Sequence, residues 1–295
     1  MKATCFGEVL WDVFPSHKKI GGAPLNVAVR LTTTRIDTAL ISKVGDDTLG
    51  EEIVSYLKSN GLSTDTIQKD IEHPTGEVKV HLDSEGVASY TINEPVAWDF
   101  VELTENARQK VKEADVFIYG SLASRNSVSR NTLFQLLELA KFKVLDINLR
   151  PPFYDKELLL QLMTEADFIK CNDEELEEIK AYLKIHASEE REIIKEVAKL
   201  TNTQQICVTR GGKGAVLYFK KAFYSNKGYK VKVIDTVGAG DSFLATLLTN
   251  LVKEKKPQKA LDKACAMGAM VAGSEGANPV FTEEEVEGFV SRAET

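Results

Sequence analysis

The sequence predicts an α/β protein built around a largely parallel sheet. Short apolar runs rich in Val, Ile and Phe alternate with longer segments whose apolar residues recur at helical spacing, the pattern expected of strands connected by helices. Hydrophobic residues make up 43% of the 295-residue chain and charged residues 27%, a composition typical of globular rather than disordered proteins. A folded body with a sizeable core is therefore expected.

The predicted strands and helices follow each other in a regular order. The predicted strands are Lys2–Glu8, Thr38–Val44, Val116–Gly120, Lys143–Asn148, Phe168–Cys171, Ile206–Arg210 and Ala215–Phe219. The predicted helices are Pro24–Thr33, Leu49–Asn60, Val128–Ala140, Asp173–Tyr182, Glu189–Leu200, Ala239–Val252 and Pro257–Ala272. No internal repeat or low-complexity linker interrupts this order, so we expect residues 1–295 to form a single domain.

Two segments, Leu10–Ile20 and Gly76–Asn93, break the alternation of strands and helices. The second alternates polar and apolar residues and carries turn residues at 83–86, so it predicts a hairpin with one face exposed to water. Both segments are expected to belong to a small antiparallel sheet that stands off the main body. The alternative is a surface hairpin without a function.

The charge and the absence of several motifs exclude some functional classes. The net charge of -7 and isoelectric point of about 5.4 argue against a nucleic-acid partner. The N-terminal stretch lacks the apolar core of a signal peptide, and no apolar run approaches the ~20 residues that span a bilayer, so we expect a cytoplasmic protein without a membrane partner. The sequence contains no CxxC, HExxH or GxSxG motif, which leaves zinc-site and hydrolase templates unsupported.

The most informative segment is the small-residue turn Asp235–Gly240, which leads through Asp241 into an apolar helix. Gly238, Ala239 and Gly240 have little or no side chain, so their amides can approach an anion at the positive end of that helix. A carboxylate there would repel a phosphate, so Asp241 needs another role that explains its position. Asp241 can orient a hydroxyl that attacks a phosphoryl group and accept its proton. The alternative is that Asp241 only caps the helix.

Two further motifs suit a nucleotide bound without a P-loop and without the HRD and DFG motifs of protein kinases. Thr209–Gly214 is a glycine-rich turn between two predicted strands, where backbone can approach phosphates, although a hairpin needs the same glycines. Asn172 and Glu175 open a predicted helix, where they can form a capping box. The functional alternative is that Glu175 holds Mg²⁺ through water and Asn172 reaches the triphosphate.

These motifs resemble those of the PfkB (ribokinase-like) carbohydrate kinase family, and they occur in the expected order. The matching stretches are GGAPLNVA at 21–28, NDEE at 172–175, TRGGKG at 209–214 and DTVGAGDSF at 235–243. The resemblance implies an α/β fold with a ribokinase-like three-layer α/β/α, Rossmann-like body and a small β-sheet lid. The lid segment would be formed by residues 10–20 and 76–98.

The resemblance also implies roles for residues at the phosphate end. Asp241 matches the catalytic base, which also contacts the substrate, and the amides of Gly238, Ala239 and Gly240 match the anion hole. The residues implied in binding ATP are Asn172, Thr209, Gly211, Gly214 and Gly240. Glu175 is implied as a ligand of Mg²⁺ through water. Some members also bind a monovalent cation, here expected to be K⁺, with oxygens near Asp235 and in the loop 272–278.

For the sugar, the resemblance implies hydroxyl contacts from Asp12, Gly21, Gly22 and Asn26. An aspartate can accept hydrogen bonds from two vicinal hydroxyls, and glycines let a sugar lie against backbone. On its own, the stretch 21–26 predicts a helix entry, because Pro24 suits the first helical turn.

A motif and a set of aromatic residues bear on which sugar is used. DINLR at 146–150 resembles the DxNxR of fructokinase-like members, where the arginine, here Arg150, lies near the sugar and the transferring phosphate. A surface salt bridge is the alternative for this arginine. Tyr90, Trp98 and Phe100 are expected lid contacts that select the sugar, unless they only pack in the core.

The sequence therefore predicts a kinase that phosphorylates a primary hydroxyl of a free sugar with ATP and Mg²⁺, with fructose to fructose 6-phosphate as the favoured reaction. An exposed lid sheet with apolar residues would also suit a homodimer. Rival substrates for the same chemistry are ribose, 2-keto-3-deoxygluconate and a nucleoside. A non-catalytic ligand-binding relative is the alternative from another class. A dinucleotide-dependent oxidoreductase is disfavoured because no GxGxxG follows the first strand.

Overall fold

The computed structural model describes residues 1–82, 88–254 and 256–293, and for residues 80–82, 88–90, 254 and 293 it describes the backbone alone. The chain divides into two compact units, Lys2–Lys141 and Phe142–Thr295, with Met1 assigned to the second. Strands alternate with helices in each unit, which confirms the predicted α/β class. No helix in the described ranges is both long and apolar enough to cross a bilayer.

The unit Lys2–Lys141 contains a parallel sheet and a second, smaller sheet. Its strands are β1 (Lys2–Phe6), β2 (Leu10–Val13), β3 (Lys18–Gly21), β4 (Asp37–Gly45), β5 (Ile67–Asp70), β6 (Gly76–Leu82), β7 (Ala88–Ile92) and β8 (Val116–Gly120). Its helices are α1 (Ala23–Thr33), α2 (Thr48–Ser59), α3 (Glu105–Glu113) and α4 (Ser127–Leu137). Strands β8, β1, β4 and β5 lie side by side in that order and run parallel. The apolar residues of β1, β4 and β8 are buried, as expected for strands covered on both faces.

The smaller sheet has four strands in the order β3-β2-β6-β7, and it contains the two segments that broke the sequence pattern. The pairs β2–β3 and β6–β7 are antiparallel, as predicted, but the central pair β2–β6 is parallel, with Leu10 opposite Gly76. The prediction of a purely antiparallel sheet was therefore wrong at this pair. Helices α1 and α2 and strand β4 separate β2 from β6 in sequence, so no tight turn dictates their direction. The predicted turn at 83–86 lies outside the described residues.

The unit Phe142–Thr295 contains a mixed sheet. Its strands are β9 (Lys143–Asp146), β10 (Phe168–Asn172), β11 (Gln205–Thr209), β12 (Ala215–Phe219) and β13 (Ala222–Asn226). Its helices are α5 (Lys156–Glu165), α6 (Asp173–Leu183), α7 (Glu190–Leu200), α8 (Ala239–Glu254), α9 (Pro257–Ala272) and α10 (Glu283–Ala293). Strands β9, β10 and β11 are parallel, whereas β12 and β13 are antiparallel to their neighbours because short turns connect them.

The parallel strands of this unit bring polar residues from distant parts of the chain to one edge. Lys170 lies opposite Asp146 across β10 and β9, and Asn172 lies opposite Thr209 across β10 and β11. The carboxyl ends of parallel strands meet at the same edge of a sheet, where ligands of open α/β sheets usually bind. The candidate phosphate-binding residues are positioned by this register.

A buried ion pair fixes the end of the lid segment in the unit Lys2–Lys141. Arg125 donates from Nε to Asp99 Oδ1 and from Nη2 to Asp99 Oδ2, each at 2.7 Å. Its Nη2 also donates to the carbonyl of Asn93, just after β7, at 2.7 Å. The guanidinium lies 4.0 Å from the ring centroid of Trp98, and the Arg125 and Asp99 side chains are only 4% and 2% exposed. The pair is therefore shielded from solvent and holds the segment that follows β7.

Removing the guanidinium should destabilise the protein strongly. We expect Arg125→Met to lower the free energy of unfolding by about 3–5 kcal/mol, because Asp99 would keep a buried charge without its partner. The measurement is urea unfolding followed by circular dichroism. Lys69→Met is the matched control, since Lys69 and Asp46 form an exposed pair 2.9 Å apart whose loss should cost about 1 kcal/mol or less. Equal losses for the two variants would contradict the role given to Arg125.

Candidate active site

The turn before α8 has a backbone shape that requires glycine at one position. Gly238 has φ 75°, and a Cβ added there would lie 2.5 Å from the carbonyl oxygen of Ala277. The carbonyl of Gly238 accepts a 2.8 Å hydrogen bond from the amide of Ser242, which closes the first turn of the helix. Both the conformation and the space thus exclude a side chain at this position. Gly238 and Gly240 are both partly exposed.

Asp241 is the third residue of α8, and its carboxylate lies in the first helical turn. The first amides of a helix have no partner within the helix, so they carry partial positive charge that attracts anions. The amide of Ala239 is already engaged, because it donates to the carbonyl of Thr236 at 3.3 Å. The anion hole predicted from Gly238, Ala239 and Gly240 therefore has one amide that is partly used by the turn. Asp241 has the position that either a base or a helix-terminal carboxylate would take.

A buried lysine that the sequence analysis did not select lies beside this turn. The ammonium of Lys170 is 2.9 and 3.0 Å from the two carboxylate oxygens of Asp146. It lies 3.2 Å from the position that a Cβ on Gly240 would take. Burial lowers the pKa of Lys170, but the carboxylates of Asp146, Glu175 and Asp241 outweigh burial and raise it above its ordinary value. The available signal was a lysine within the otherwise apolar strand FIKC.

Asn172 and Glu175 form the capping box that was one of their two predicted roles, and Glu175 accepts one further backbone hydrogen bond. Asn172 Oδ1 accepts from the amide of Glu175 at 2.7 Å, and Glu175 Oε2 accepts from the amide of Asn172 at 2.8 Å. Glu175 Oε1 accepts from the amide of Leu149 at 2.8 Å. Burial raises the pKa of Glu175, although the charge of Lys170 and these amides oppose the shift. The carboxylate thus joins the chain after β9 to the start of α6.

The donor set at this end of the unit fits Mg²⁺ held mainly by phosphate and water. No group of three or more His, Cys, Asp or Glu side chains arranged for a metal occurs in the described part of the chain. Mg²⁺ usually keeps several waters and takes one or two carboxylates plus substrate phosphates, so such a cage is not needed. Each oxygen of Glu175 accepts one amide and retains capacity to accept from a water. The residues present are compatible with a water-mediated metal that arrives with the nucleotide.

The glycine-rich turn Thr209–Gly214 connects β11 to the antiparallel strand β12, as the hairpin alternative required. The hydroxyl of Thr209 donates to the carbonyl of Cys171 at 3.4 Å. Gly214 has φ 82°, and a Cβ there would overlap the backbone of Asn226 and Gly228. Gly211 has φ 52° but no atom within 4 Å of its Cβ position. The turn therefore has one packed glycine, Gly214, and two that face open space, Gly211 and Gly212.

The loop around Asp235 contacts the loop that follows α9. Asp235 Oδ1 accepts from the amide of Val237 at 3.0 Å, and Oδ2 accepts from the amide of Gly276 at 3.4 Å. The carbonyl of Ala272 accepts from the amides of Ile234 and Asp235 at 2.8 and 3.3 Å. The two segments named for a monovalent cation are thus adjacent.

Arg150 lies at the end of the DINLR motif and is exposed. Its Nη1 donates to the carbonyl of Leu149 at 2.8 Å, a contact with its own neighbour in sequence. With the described residues Arg150 forms no ion pair, so the alternative of a surface salt bridge receives no support. The guanidinium is available to an anionic ligand.

The residues predicted to bind the sugar lie in the unit Lys2–Lys141. Asp12 is on β2, Gly21 ends β3, and a Cβ on Gly21 would overlap the Asp12 carboxylate. Gly22 caps α1 with φ 115°, and a Cβ there would overlap the carbonyl of Glu8. Asn26 is on α1, 3% exposed, and its amide donates to the carbonyl of Gly22 at 2.9 Å. The structure thus gathers these residues around the start of α1, which is also the predicted helix entry.

Glu8 is a further polar residue at this place, and the sequence predicted it only as the end of the first strand. It is 3% exposed, and its Oε1 accepts from the amide of Ala23 at 3.3 Å, in the first turn of α1. Burying a carboxylate costs free energy unless the carboxylate is hydrogen-bonded. For Glu8, its position at the N-terminus of α1 offsets part of that cost. An acidic residue directly after an apolar strand was the available signal.

The aromatic residues predicted to contact the sugar differ in their surroundings. Trp98 is fully buried and packs against Arg125, so it belongs to the core. Phe100 is partly buried; its ring stacks on His73 with centroids 3.8 Å apart, and its carbonyl accepts from Lys43 at 3.1 Å. The side chain of Tyr90 lies outside the described residues. Core packing thus accounts for Trp98, whereas Phe100 has an exposed part.

Comparisons with known proteins agree on one family. A family model described as pfkB family carbohydrate kinase matches residues 3–284. Fructokinase-2 of Solanum habrochaites is 31% identical over 305 residues, covering 94% of this chain and 92% of that relative. The structure of an uncharacterized sugar kinase from Pyrococcus horikoshii in complex with ATP has 26% identity and a TM-score of 0.83, covering 97% of this chain and 99% of that one.

A further solved structure supports the fold alone. The crystal structure of a fructokinase with bound ATP from Xylella fastidiosa has a TM-score of 0.87 at 22% identity, covering 100% of this chain and 99% of that one. This similarity confirms the fold class that the sequence resemblance implied.

The double hydrogen bond of Glu175 generates a stability prediction. We expect Glu175→Ala to lower the free energy of unfolding by about 2–4 kcal/mol, because two amides would lose their buried acceptor. Glu174→Ala is the control, since Glu174 is the exposed neighbour on the same helix. Urea unfolding of both variants measures the difference. A loss no larger than that of Glu174→Ala would show that the Glu175 carboxylate does not hold the chain after β9.

Proposed function

Because the chain belongs to the pfkB family of carbohydrate kinases, and is thus a sugar kinase, we propose that it transfers the γ-phosphoryl group of ATP to a primary hydroxyl of free fructose, giving fructose 6-phosphate. The observation that carries the choice of fructose is the identity of 31% with a fructokinase, extending over 94% of the chain. The DINLR motif and the GGAPLN stretch point in the same direction. ATP as donor is supported by the Pyrococcus horikoshii sugar kinase, whose structure is a complex with ATP.

In the proposed reaction Asp241 is the general base. Its carboxylate would accept a hydrogen bond from the attacking hydroxyl, orient the oxygen toward the γ-phosphorus and take up the proton as the bond to phosphorus forms. Phosphoryl transfer passes through a loose transition state in which proton transfer can come late, so an ordinary aspartate is basic enough. Its place in the first turn of α8 supports this role, because the amides there attract the phosphoryl oxygens to the same spot.

The charge that builds up on the transferring group would be stabilised by backbone and by arginine. The amides of Gly238 and Gly240 are proposed as the main donors of the anion hole, with Ala239 contributing less because its amide already donates to Thr236. The exposed guanidinium of Arg150 would offset further charge. Asn172, Thr209, Gly211 and Gly214 are proposed contacts of the nucleotide, since they lie at or beyond the carboxyl ends of β10 and β11.

Two cations accompany this proposal. Mg²⁺ would neutralise charge on the nucleotide phosphates, and Glu175 would hold its hydration shell. K⁺ is proposed near Asp235, because the loop after α9 contacts that residue through the amide of Gly276. The Mg²⁺ assignment concerns a carboxylate on α6, and the K⁺ assignment concerns oxygens of the two adjacent loops.

The sugar hydroxyls are proposed to bind Asp12 and Asn26, with the backbone of Gly21 and Gly22 alongside. The carboxylate of Asp12 packs against Gly21 so closely that any larger residue there would displace it. A carboxylate held in one place can accept from two vicinal hydroxyls, which fixes the orientation of a sugar ring. The exposed part of Phe100 is proposed to contact the ring as well.

Replacing the base tests the chemical assignment. We expect Asp241→Asn to reduce turnover by about 10²–10⁴-fold, because the amide cannot accept the proton, while the KM for ATP changes little. A coupled ADP-release assay measures both. Asp37→Asn removes an exposed carboxylate at the start of β4 and should leave turnover unchanged. Turnover of Asp241→Asn equal to the parent protein would exclude this residue as the base.

A substrate panel tests the choice of sugar. We expect fructose to give the highest kcat/KM when fructose, ribose, 2-keto-3-deoxygluconate, tagatose, glucose and adenosine are compared with ATP and Mg²⁺, with and without K⁺. Preference for another sugar would retain Asp241 as base but would contradict the role of Arg150 and Phe100. No ADP release with any of these compounds would favour a non-catalytic ligand-binding relative. Dependence of the rate on K⁺ would support the site near Asp235.

A further inference from the structure

Burying the ion pair of Lys170 and Asp146 costs free energy of folding. Lys170 is 8% and Asp146 4% exposed, and both lie on neighbouring buried strands of the sheet. Taking two charges out of water costs several kcal/mol for each ion, and apolar residues of similar size at such a pair often leave stability unchanged or improve it. Stability of the sheet therefore does not account for the pair.

The ammonium of Lys170 lies directly behind the turn that opens α8. Its Nζ is 3.2 Å from the position that a Cβ on Gly240 would take, so a side chain at 240 would be in tight contact with the lysine. Asp146 fixes the ammonium with two hydrogen bonds, of 2.9 and 3.0 Å. The positive charge is thus immobile and adjacent to the residue that precedes Asp241.

The charged groups around Lys170 would otherwise oppose an anion. Asp146 on β9, Glu175 on α6 and Asp241 on α8 all act on Lys170 electrostatically. Cys171 and Cys207, the buried thiols on β10 and β11, have pKa values raised well above the ordinary range by burial, so they are neutral. A phosphoryl group brought to this place would be opposed by the negative charge of these three carboxylates. One fixed ammonium in low-dielectric surroundings offsets a large part of it.

We propose that Lys170 is a positioning residue for phosphoryl transfer: its ammonium, held by Asp146 behind Gly240, offsets the surrounding carboxylate charge so that an anionic group can occupy the turn next to Asp241. This inference rests on the proposed kinase function and assigns a role to a residue that acts through the turn. The competing explanation is an ion pair that serves only to hold β9 against β10.

Variants of the pair separate the two explanations. Lys170→Met leaves Asp146 buried and charged, so both stability and turnover should fall. In the double variant Lys170→Met with Asp146→Asn neither member of the pair carries a charge, so the melting temperature should return to within a few degrees of the parent value. We expect kcat of the double variant to stay at least about 10²-fold below the parent value, with the KM for sugar within about twofold, because the ammonium is still missing. A stable double variant with parental kcat would overturn the proposal.

Two further measurements guard against a variant that fails to fold or an assay that lacks the right sugar. Lys170→Arg keeps the charge, and we expect it to lose less kcat than Lys170→Gln; an equal or larger loss in the arginine variant would count against the proposal. Binding of ADP with Mg²⁺, followed by calorimetry, needs no sugar, and the double variant should bind more weakly than the parent. Unchanged ADP affinity together with unchanged kcat would overturn the role of Lys170.

Lys143→Met is the control for the Lys170 variants, and a separate result would contradict the proposed kinase function. Lys143→Met removes a lysine from the other end of β9, where its ammonium lies 2.7 Å from Glu165, and should leave kcat and ADP affinity within about twofold of the parent. A parent protein that turns over no sugar would contradict the proposed kinase function. In that case ADP affinity decides alone: weaker binding in the double variant supports Lys170, and equal binding overturns it.

Discussion

Candidate phosphate-binding residues lie at the carboxyl ends of β9 and β10. The backbone there depends on one buried carboxylate that accepts two backbone hydrogen bonds. Glu175 ties the amide of Leu149, just beyond β9, to the amide of Asn172 at the end of β10. Only a carboxylate offers two acceptor oxygens without adding an N–H that would need its own partner. Through this link the direction of the chain toward Arg150 and the start of α6 are set together. The capping box and the candidate metal contact are thus two uses of one side chain.

The same region retains features that a stability-driven sequence would lose. Lys170, Asp146 and Glu175 are buried ionisable groups, and each opposes folding unless its partners are in place. They lie near a turn whose glycines, Gly238 and Gly240, are partly exposed. Local departures from the rules that favour stability concentrate where a protein binds or reacts. The energetic cost thus falls on the same residues to which the proposed chemistry assigns roles.

Much of the fold was readable from periodicity, and most of the rest depends on contacts that periodicity does not encode. The apolar strands such as β8 and β12 were predicted with the observed bounds. Strands β5 and β13 and helices α3, α5 and α10 were not among the predicted elements. Edge strands and the very polar α3 lack a strong apolar pattern, whereas α5 carries buried leucines that periodicity could have shown. Asp241 and Glu175 stood out through local motifs. The pairing of Lys170 with Asp146 joins separate strands, so only the register of the sheet reveals it.

The glycines of the candidate site show how packing and function can be separated. Gly238 is required by its φ of 75° and by Ala277, and Gly214 by its φ of 82° and the backbone of Asn226, so both have structural reasons that need no ligand. Gly211 has open space around its Cβ position and a φ of 52°, which asparagine also adopts. Packing does not demand glycine there, whereas the left-handed φ favours it. The open space at the carboxyl end of β11 is where the proposed contact of Gly211 with the nucleotide would be made.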